Sequence, residues 1–295
     1  MARRPHHDWA RRGAGRRGPL VNRAPVGILD SGFGGLSVYA AVKKLLPGES
    51  TVFAADCEGA PWGDRSDEYI LERLEGLVGF LLSRNVKAIV LACNTATAVG
   101  AAVLRARLSI PVIGIEPAVL PGCRETKTKV IGVLATTKTI RSAKYQHLKT
   151  LAPADVKVLD QPCPGLMDCV EKGAFHAPET VELARRYVAP LVKEHADRLV
   201  LGCTHYPFLS DVLHEVAGPG VELIDPAPAV VRQLERRLAA NDALSDGFSP
   251  EHRFFVTGAN ERRETVLRLL AGENARLEAL GGDFQARTVS LESMK

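Results

Sequence analysis

No stretch of this 295-residue chain is apolar for the ~18 residues that a membrane-spanning helix needs. Nor does its basic start run into the short apolar core of a secretory leader. Cysteine is sparse and shows no pairing pattern. Cys57, Cys93, Cys123, Cys163, Cys169 and Cys203 contain no CxxC, and the step from Cys163 to Cys169 does not fit a zinc knuckle. Neither a structural metal nor a disulfide framework is expected, and a reducing cytoplasm is the expected compartment. The glycine-rich stretch SGFGGLSV at 31–38 has neither the GxGxxG spacing of a dinucleotide site nor the GK[ST] ending of a P-loop.

The composition is that of a soluble globular protein, 46% hydrophobic and 24% charged, and the length suits two domains of ordinary size. The net charge of +4 is unevenly placed. Residues 1–23 hold Arg3, Arg4, Arg11, Arg12, Arg16, Arg17 and Arg23 against the single acid Asp8, which leaves the body slightly acidic. Such an Arg-rich segment reads as a disordered tail. Contact with nucleic acid or another anion is the functional alternative for the tail and is not expected of the nearly neutral body. An organelle transit peptide is a further alternative.

Apolar runs at 25–30, 51–55, 87–92, 111–115, 129–134, 155–159, 197–202 and 221–224 alternate with helical patterns. This rhythm predicts an α/β fold of mostly parallel sheets flanked by helices, with ligands at the carboxyl ends of the strands. A repeat runs through it. IVLACNTATA around Cys93 matches LVLGCTHYPF around Cys203, and APVGILDSG ending at Asp30 and Ser31 matches KVIGVLATT ending at Thr136 and Thr137. The steps from Asp30 to Cys93 and from Thr136 to Cys203 are 63 and 67 residues, and Glu116 and Asp225 follow the cysteines by 23 and 22. An ordered series of landmarks implies two copies of one α/β unit, far longer than a solenoid repeat. The expected architecture is two pseudo-symmetric domains with the active site in the cleft between them. Residues 24–117 with 226–295 form the first and 118–225 the second, the C-terminal strand HRFFVTG and its flanking helices folding back onto the first.

Two thiols at equivalent strand ends suit a reaction that takes a proton from one face of a carbon and returns one to the other. One buried Cys is usually packing, and a protease-type nucleophile needs one thiol with a His partner, not two related thiols. Asn94 and Thr95 open a helix whose free N–H groups favour a bound carboxylate and a thiolate. Thr204 and His205 repeat the arrangement, and His205 sits two residues from its thiol, placed to assist proton transfer or to stabilise the thiolate. The glycines of 31–38 permit close backbone approach to a small ligand. Asp30 is placed either to meet an ammonium group and orient an acid or base, or to cap a helix.

The segments DSGFGGLSV, APWGDRS, ACNTATA, GVLATTKTIRSAKY and LGCTHYPFL together resemble the glutamate racemases, over roughly residues 25–260 and in the family's order. The resemblance implies cofactor-independent interconversion of L- and D-glutamate, supplying D-glutamate for peptidoglycan. It makes Cys93 and Cys203 the acid/base thiols, assisted by Asp30 and His205. It implies substrate contacts at Asp30, Ser31, Trp62, Gly63, Asn94, Thr95, Thr136, Thr139, Glu171, Thr204 and His205, with no metal and no cofactor. No Lys here sits in an obvious Schiff-base motif. Where the family has Pro-Tyr-Gly this chain has Pro61-Trp62-Gly63. A backbone contact there would tolerate the change, whereas a contact through the phenol hydroxyl would be lost. A homodimer is the default assembly. The rivals are a racemase of the same two-thiol group acting on aspartate or a hydantoin, and a non-catalytic anion-binding protein that would survive loss of both cysteines.

Overall fold

The computed structural model describes residues 23–245 and 249–281, so the Arg-rich segment before Arg23 lies outside the described residues. Ten strands are present among them: β1 (Val26–Asp30), β2 (Thr51–Ala55), β3 (Ala88–Leu91), β4 (Val112–Gly114), β5 (Val130–Ala135), β6 (Lys157–Pro162), β7 (Arg198–Gly202), β8 (Glu222–Ile224), β9 (His252–Val256) and β10 (Leu277–Ala279). They form two sheets, of order β10-β9-β2-β1-β3-β4 and β6-β5-β7-β8, with every pairing parallel. The order β2-β1-β3-β4 of the first sheet reappears as β6-β5-β7-β8 in the second. The repeat read from the cysteine motifs is thus a repeat of connectivity. β9 joins the outer edge of β2, so the chain does fold back onto the first sheet, and β10 extends that edge.

Parallel strands are covered by helices on both faces, which is why the central ones are continuous apolar runs. In β1, Val26 and Ile28 face one cluster while Leu29 faces another. In β7, Leu199 and Leu201 face one side and Val200 the other. The first sheet is packed by α1 (Leu36–Leu45), α2 (Asp67–Ser83), α3 (Asn94–Arg107) and, from the C-terminal part, α10 (Ala227–Ala239) and α11 (Glu261–Ala271). Around the second lie α4 (Val119–Glu125), α5 (Thr137–Arg141), α6 (Ala143–Thr150), α7 (Leu166–Glu171), α8 (Pro178–Lys193) and α9 (Ser210–Ala217). No helix among the described residues is long and apolar enough to cross a membrane.

Side-chain caps set several of the helix starts that matter for the cleft. Thr136 accepts from Thr139 N–H and Ser142 from Tyr145 N–H, so α5 and α6 start where a hydroxyl satisfies a free donor. At α3 the cap is Cys93 itself, whose sulfur accepts from Ala96 N–H at 3.5 Å.

Candidate active site

Strand ends bring the motifs together. Cys93 follows β3 and Cys203 follows β7, the equivalent strands of the two sheets, and both thiols line one cavity. Ser31, Trp62, Gly63, Asn94, Thr95, Thr136, Thr139, Thr204 and His205 line it with them. The cavity measures about 20 Å³, room for a single water molecule, so the two halves are closed on each other. All six cysteines are buried and free. Among the described residues no group of three or more His, Cys, Asp or Glu is placed to hold a metal ion.

Close contact between the halves depends on the glycine-rich turn. A Cβ at Gly34 would overlap the His205 ring and the Thr204 hydroxyl, and one at Gly32 would overlap the Glu171 carboxylate. Gly32 and Gly34 therefore admit the opposite half of the protein, while Gly35 lets the turn pack on Asp30 and Phe53 of its own half. Gly34 N–H reaches His205 Nε2 at 3.2 Å and Phe33 N–H donates to Glu171 Oε1 at 2.6 Å.

The two thiols have different surroundings. Cys203 Sγ lies 3.6 Å from His205 Nδ1, and His205 Nε2 lies 2.7 Å from Glu171 Oε1. Burial alone would lower the His205 pKa, but its hydrogen bonds to Cys203 and Glu171 reverse this and hold it well above the usual imidazole range. Among the described residues Cys93 has only weak partners, Ser31 Oγ at 3.6 Å and Ala96 N–H. Burial, reinforced by the charge of Asp30, pushes its thiol up to about 12. The helix N-terminus expected to favour a thiolate at Cys93 is outweighed by desolvation.

Asp30 is fully buried and stands behind the cavity wall. It accepts from Ser31 N–H at 2.5 Å, Ser31 Oγ at 3.1 Å and, across the interface, Thr204 Oγ1 at 2.8 Å. Burial raises its pKa, partly offset by the nearby His205 and these donors. Glu171 does not line this closed cavity; its carboxylate meets His205 Nε2 at 2.7 Å and accepts from Phe33 N–H.

Asn94 is 5% exposed, yet neither atom of its amide has a hydrogen-bond partner among the described residues. A buried amide left open beside a cavity calls for an explanation outside the protein's own groups. Beside it, Thr95 Oγ1 meets Thr136 Oγ1 at 3.3 Å and Thr139 Oγ1 at 3.4 Å, a hydroxyl cluster drawn from both halves. Trp62 is 1% exposed and donates its indole N–H to Asp56 Oδ2 at 3.1 Å. Asp56 also binds Arg73 and accepts from Thr257 Oγ1 at 2.9 Å. The sequence reading did not single out Asp56, although it directly follows β2, a strand-end position like those of Asp30 and the two cysteines. The landmarks Glu116 and Asp225 stay outside the cavity, Glu116 paired with Lys144 at 2.8 Å and Asp225 accepting from Ala227 N–H at the start of α10.

Known proteins resemble this chain in sequence and fold. A model of the Asp/Glu/Hydantoin racemase family matches residues 33–234. The chain is 48% identical over 257 residues to a glutamate racemase of Ectopseudomonas mendocina (strain ymp), covering 87% of this chain and 98% of that relative. Among solved structures, a glutamate racemase isoform from Bacillus anthracis superposes with a TM-score of 0.78 at 35% identity, covering 89% of this chain and 99% of the other. A glutamate racemase from Francisella tularensis subsp. tularensis SCHU S4, solved in complex with D-glutamate, gives 0.76 at 28% identity, with coverages of 88% and 98%.

Proposed function

This chain belongs to the Asp/Glu/Hydantoin racemase family and is a racemase, and from that premise we propose that it interconverts L- and D-glutamate with two thiols and no cofactor. The observation that carries the proposal is the convergence of Cys93 and Cys203, from equivalent strands of two repeated sheets, on one small closed cavity. One sulfur, as thiolate, takes the α-proton. The other, as thiol, protonates the opposite face, and the roles exchange for the reverse reaction.

The unequal surroundings of the thiols support a division of labour in the resting protein. Burial keeps Cys93 protonated, ready as an acid. Cys203 instead has His205 beside it, held protonated by its contacts with Cys203 and Glu171. The Asn94 amide offers a donor and an acceptor to the substrate's α-carboxylate and ammonium. Thr95, Thr136, Thr139 and the Trp62–Gly63 turn line the same cavity and in this reading receive a carboxylate. Asp30 orients Ser31 and Thr204 and supplies negative charge next to the ammonium. The carbanion is stabilised by these fixed dipoles in a closed, water-poor site.

Residues 24–117 with 226–295 and 118–225 would then act as two domains hinged where the chain crosses between them. The reading also places the enzyme in the cytoplasm, as a homodimer that feeds D-glutamate to peptidoglycan synthesis. The test is racemisation of L-glutamate by the purified protein without added pyridoxal phosphate. Cys93→Ala and Cys203→Ala should each lower kcat by at least ~10³, since each removes one of the two proton-transfer groups. Full activity in either variant, or a requirement for pyridoxal phosphate, would refute the two-thiol mechanism.

A further inference from the structure

Asp56 shares with Asp30 complete burial at the carboxyl end of a strand, and its N–H donates to the Asp30 carbonyl at 3.1 Å. Nothing in the two-thiol reading uses it. Its carboxylate nevertheless gathers donors from several segments of the chain. Arg73, on α2, grips it with Nε at 2.6 Å from Oδ2 and with Nη2 on Oδ1. Thr257, directly after β9, donates its hydroxyl to Oδ1 at 2.9 Å and accepts from Glu58 N–H at 2.9 Å. Trp62 donates its indole N–H to Oδ2 at 3.1 Å. The loop between Asp56 and Trp62 wraps around the same group. Gly59 N–H donates to Oδ1 at 3.3 Å, and a Cβ at Gly59 would overlap the carboxylate.

A buried ion pair is a weak source of stability, since apolar side chains of similar volume often serve as well. What a carboxylate with this many donors supplies is fixed geometry. The part it fixes is the Trp62–Gly63 turn, which lines the inter-thiol cavity. The indole lies in the apolar cluster that also holds Cys93, and a Cβ at Gly63 would stand 3.2 Å from Thr136 Cβ in the opposite half. A small shift of the turn would therefore be felt both beside a thiol and across the cleft.

We infer that Asp56 is a positioning residue of the site: held by Arg73 and Thr257, it fixes the Trp62–Gly63 turn where the substrate carboxylate is received. The inference rests on the reading of that turn as a substrate contact and adds how the contact is held. It also gives the indole a task. Where the related enzymes carry a phenol, this chain carries an N–H engaged by Asp56 and not offered to the substrate. Through Thr257 it makes the end of β9 part of the binding apparatus, although no residue of β9 lines the cavity among the described residues.

The turn would hold a part of the substrate that is not inverted, in the ground state and the transition state alike. Loosening it should raise KM for L- and D-glutamate together and leave kcat within about twofold. Thr257 and Arg73 lie outside the inter-thiol cavity, so they test the idea without touching the substrate. Thr257→Val keeps the shape and loses the hydroxyl; KM should rise about 5-fold, the scale of one hydrogen bond to a buried carboxylate, and Thr257→Ser should restore it. Trp62→Phe keeps a ring and loses the N–H, and KM should rise again. Because both changes act through one carboxylate, adding Thr257→Val to Trp62→Phe should change KM by less than about twofold. If Thr257→Val does not fold, Arg73→Lys takes its place with the same expected pattern, since it keeps the charge and gives up the two-point grip. A folded Thr257→Val or Arg73→Lys enzyme with unchanged KM overturns the inference and leaves the two-thiol reading standing. So does a double variant whose effects multiply in full. An unsubstituted enzyme that does not racemise glutamate sinks both.

Discussion

Asp30 is an ionisable side chain with no exposure, and its pKa is raised from the ordinary 3.8 because burial outweighs the three hydrogen bonds it accepts. A group whose folded pKa lies above its unfolded value stabilises the fold below the unfolded pKa, and that contribution is lost as pH rises through the folded value. At neutral pH the ionised carboxylate is thus a cost to stability. Asp30→Asn should raise the melting temperature at pH 8, by roughly 2–4 °C for each kcal/mol relieved, and the gain should vanish near pH 4. The same substitution removes a charge that raises the Cys93 pKa. For the enantiomer whose α-proton goes to Cys93, kcat/KM should rise with pH, and Asp30→Asn should move that rise to lower pH. An unmoved pH profile would separate Asp30 from the thiol. Residues such as Asp30 and the two cysteines were legible because they end apolar runs. The link from Trp62 through Asp56 to Thr257 was not, because Asp56 and Thr257 are 201 residues apart and meet only when β9 pairs with β2.

At the scale of elements, what was readable was the rhythm of buried parallel strands, and what was not was a strand made by its neighbour. β10, Leu277–Ala279, is three residues long, too short for its Leu-Glu-Ala alternation to stand out as a strand. It exists because the open edge of β9 offers a ladder of backbone partners. The turn from β1 to α1 was legible as glycine-rich, but its purpose lay in the other half of the molecule. Gly34→Ala tests that purpose, since the atoms nearest the new methyl would be those of the His205 ring and the Thr204 hydroxyl. The fold and helix content should persist, while kcat/KM should fall by about 10²-fold, as a misplacement near 1 Å can produce. Circular dichroism and steady-state kinetics on one preparation separate the two effects. Loss of helix together with activity would make the glycine a folding requirement instead.

For the whole molecule, the decisive fact is a cleft closed down to about 20 Å³. Contacts across it include Thr204 to Asp30, His205 to Gly34 and Glu171 to Phe33. At the mouth Lys138 joins them, paired with Asp67 at 2.7 Å and donating to the Arg65 carbonyl. Admission of an amino acid requires the two halves to separate and close again, so opening belongs to the catalytic cycle. kcat should then decline as sucrose raises the viscosity, with a polymer of equal bulk viscosity having little effect; equal insensitivity to both would place the slow step in chemistry. The claim beneath all of this is that two sulfurs act on opposite faces of one carbon, and racemisation of L-glutamate in heavy water tests it most directly. Early in the reaction the D-product should carry solvent deuterium while the remaining L-substrate stays protiated. Deuterium appearing equally in both enantiomers from the start would mean a single base, and would contradict the account.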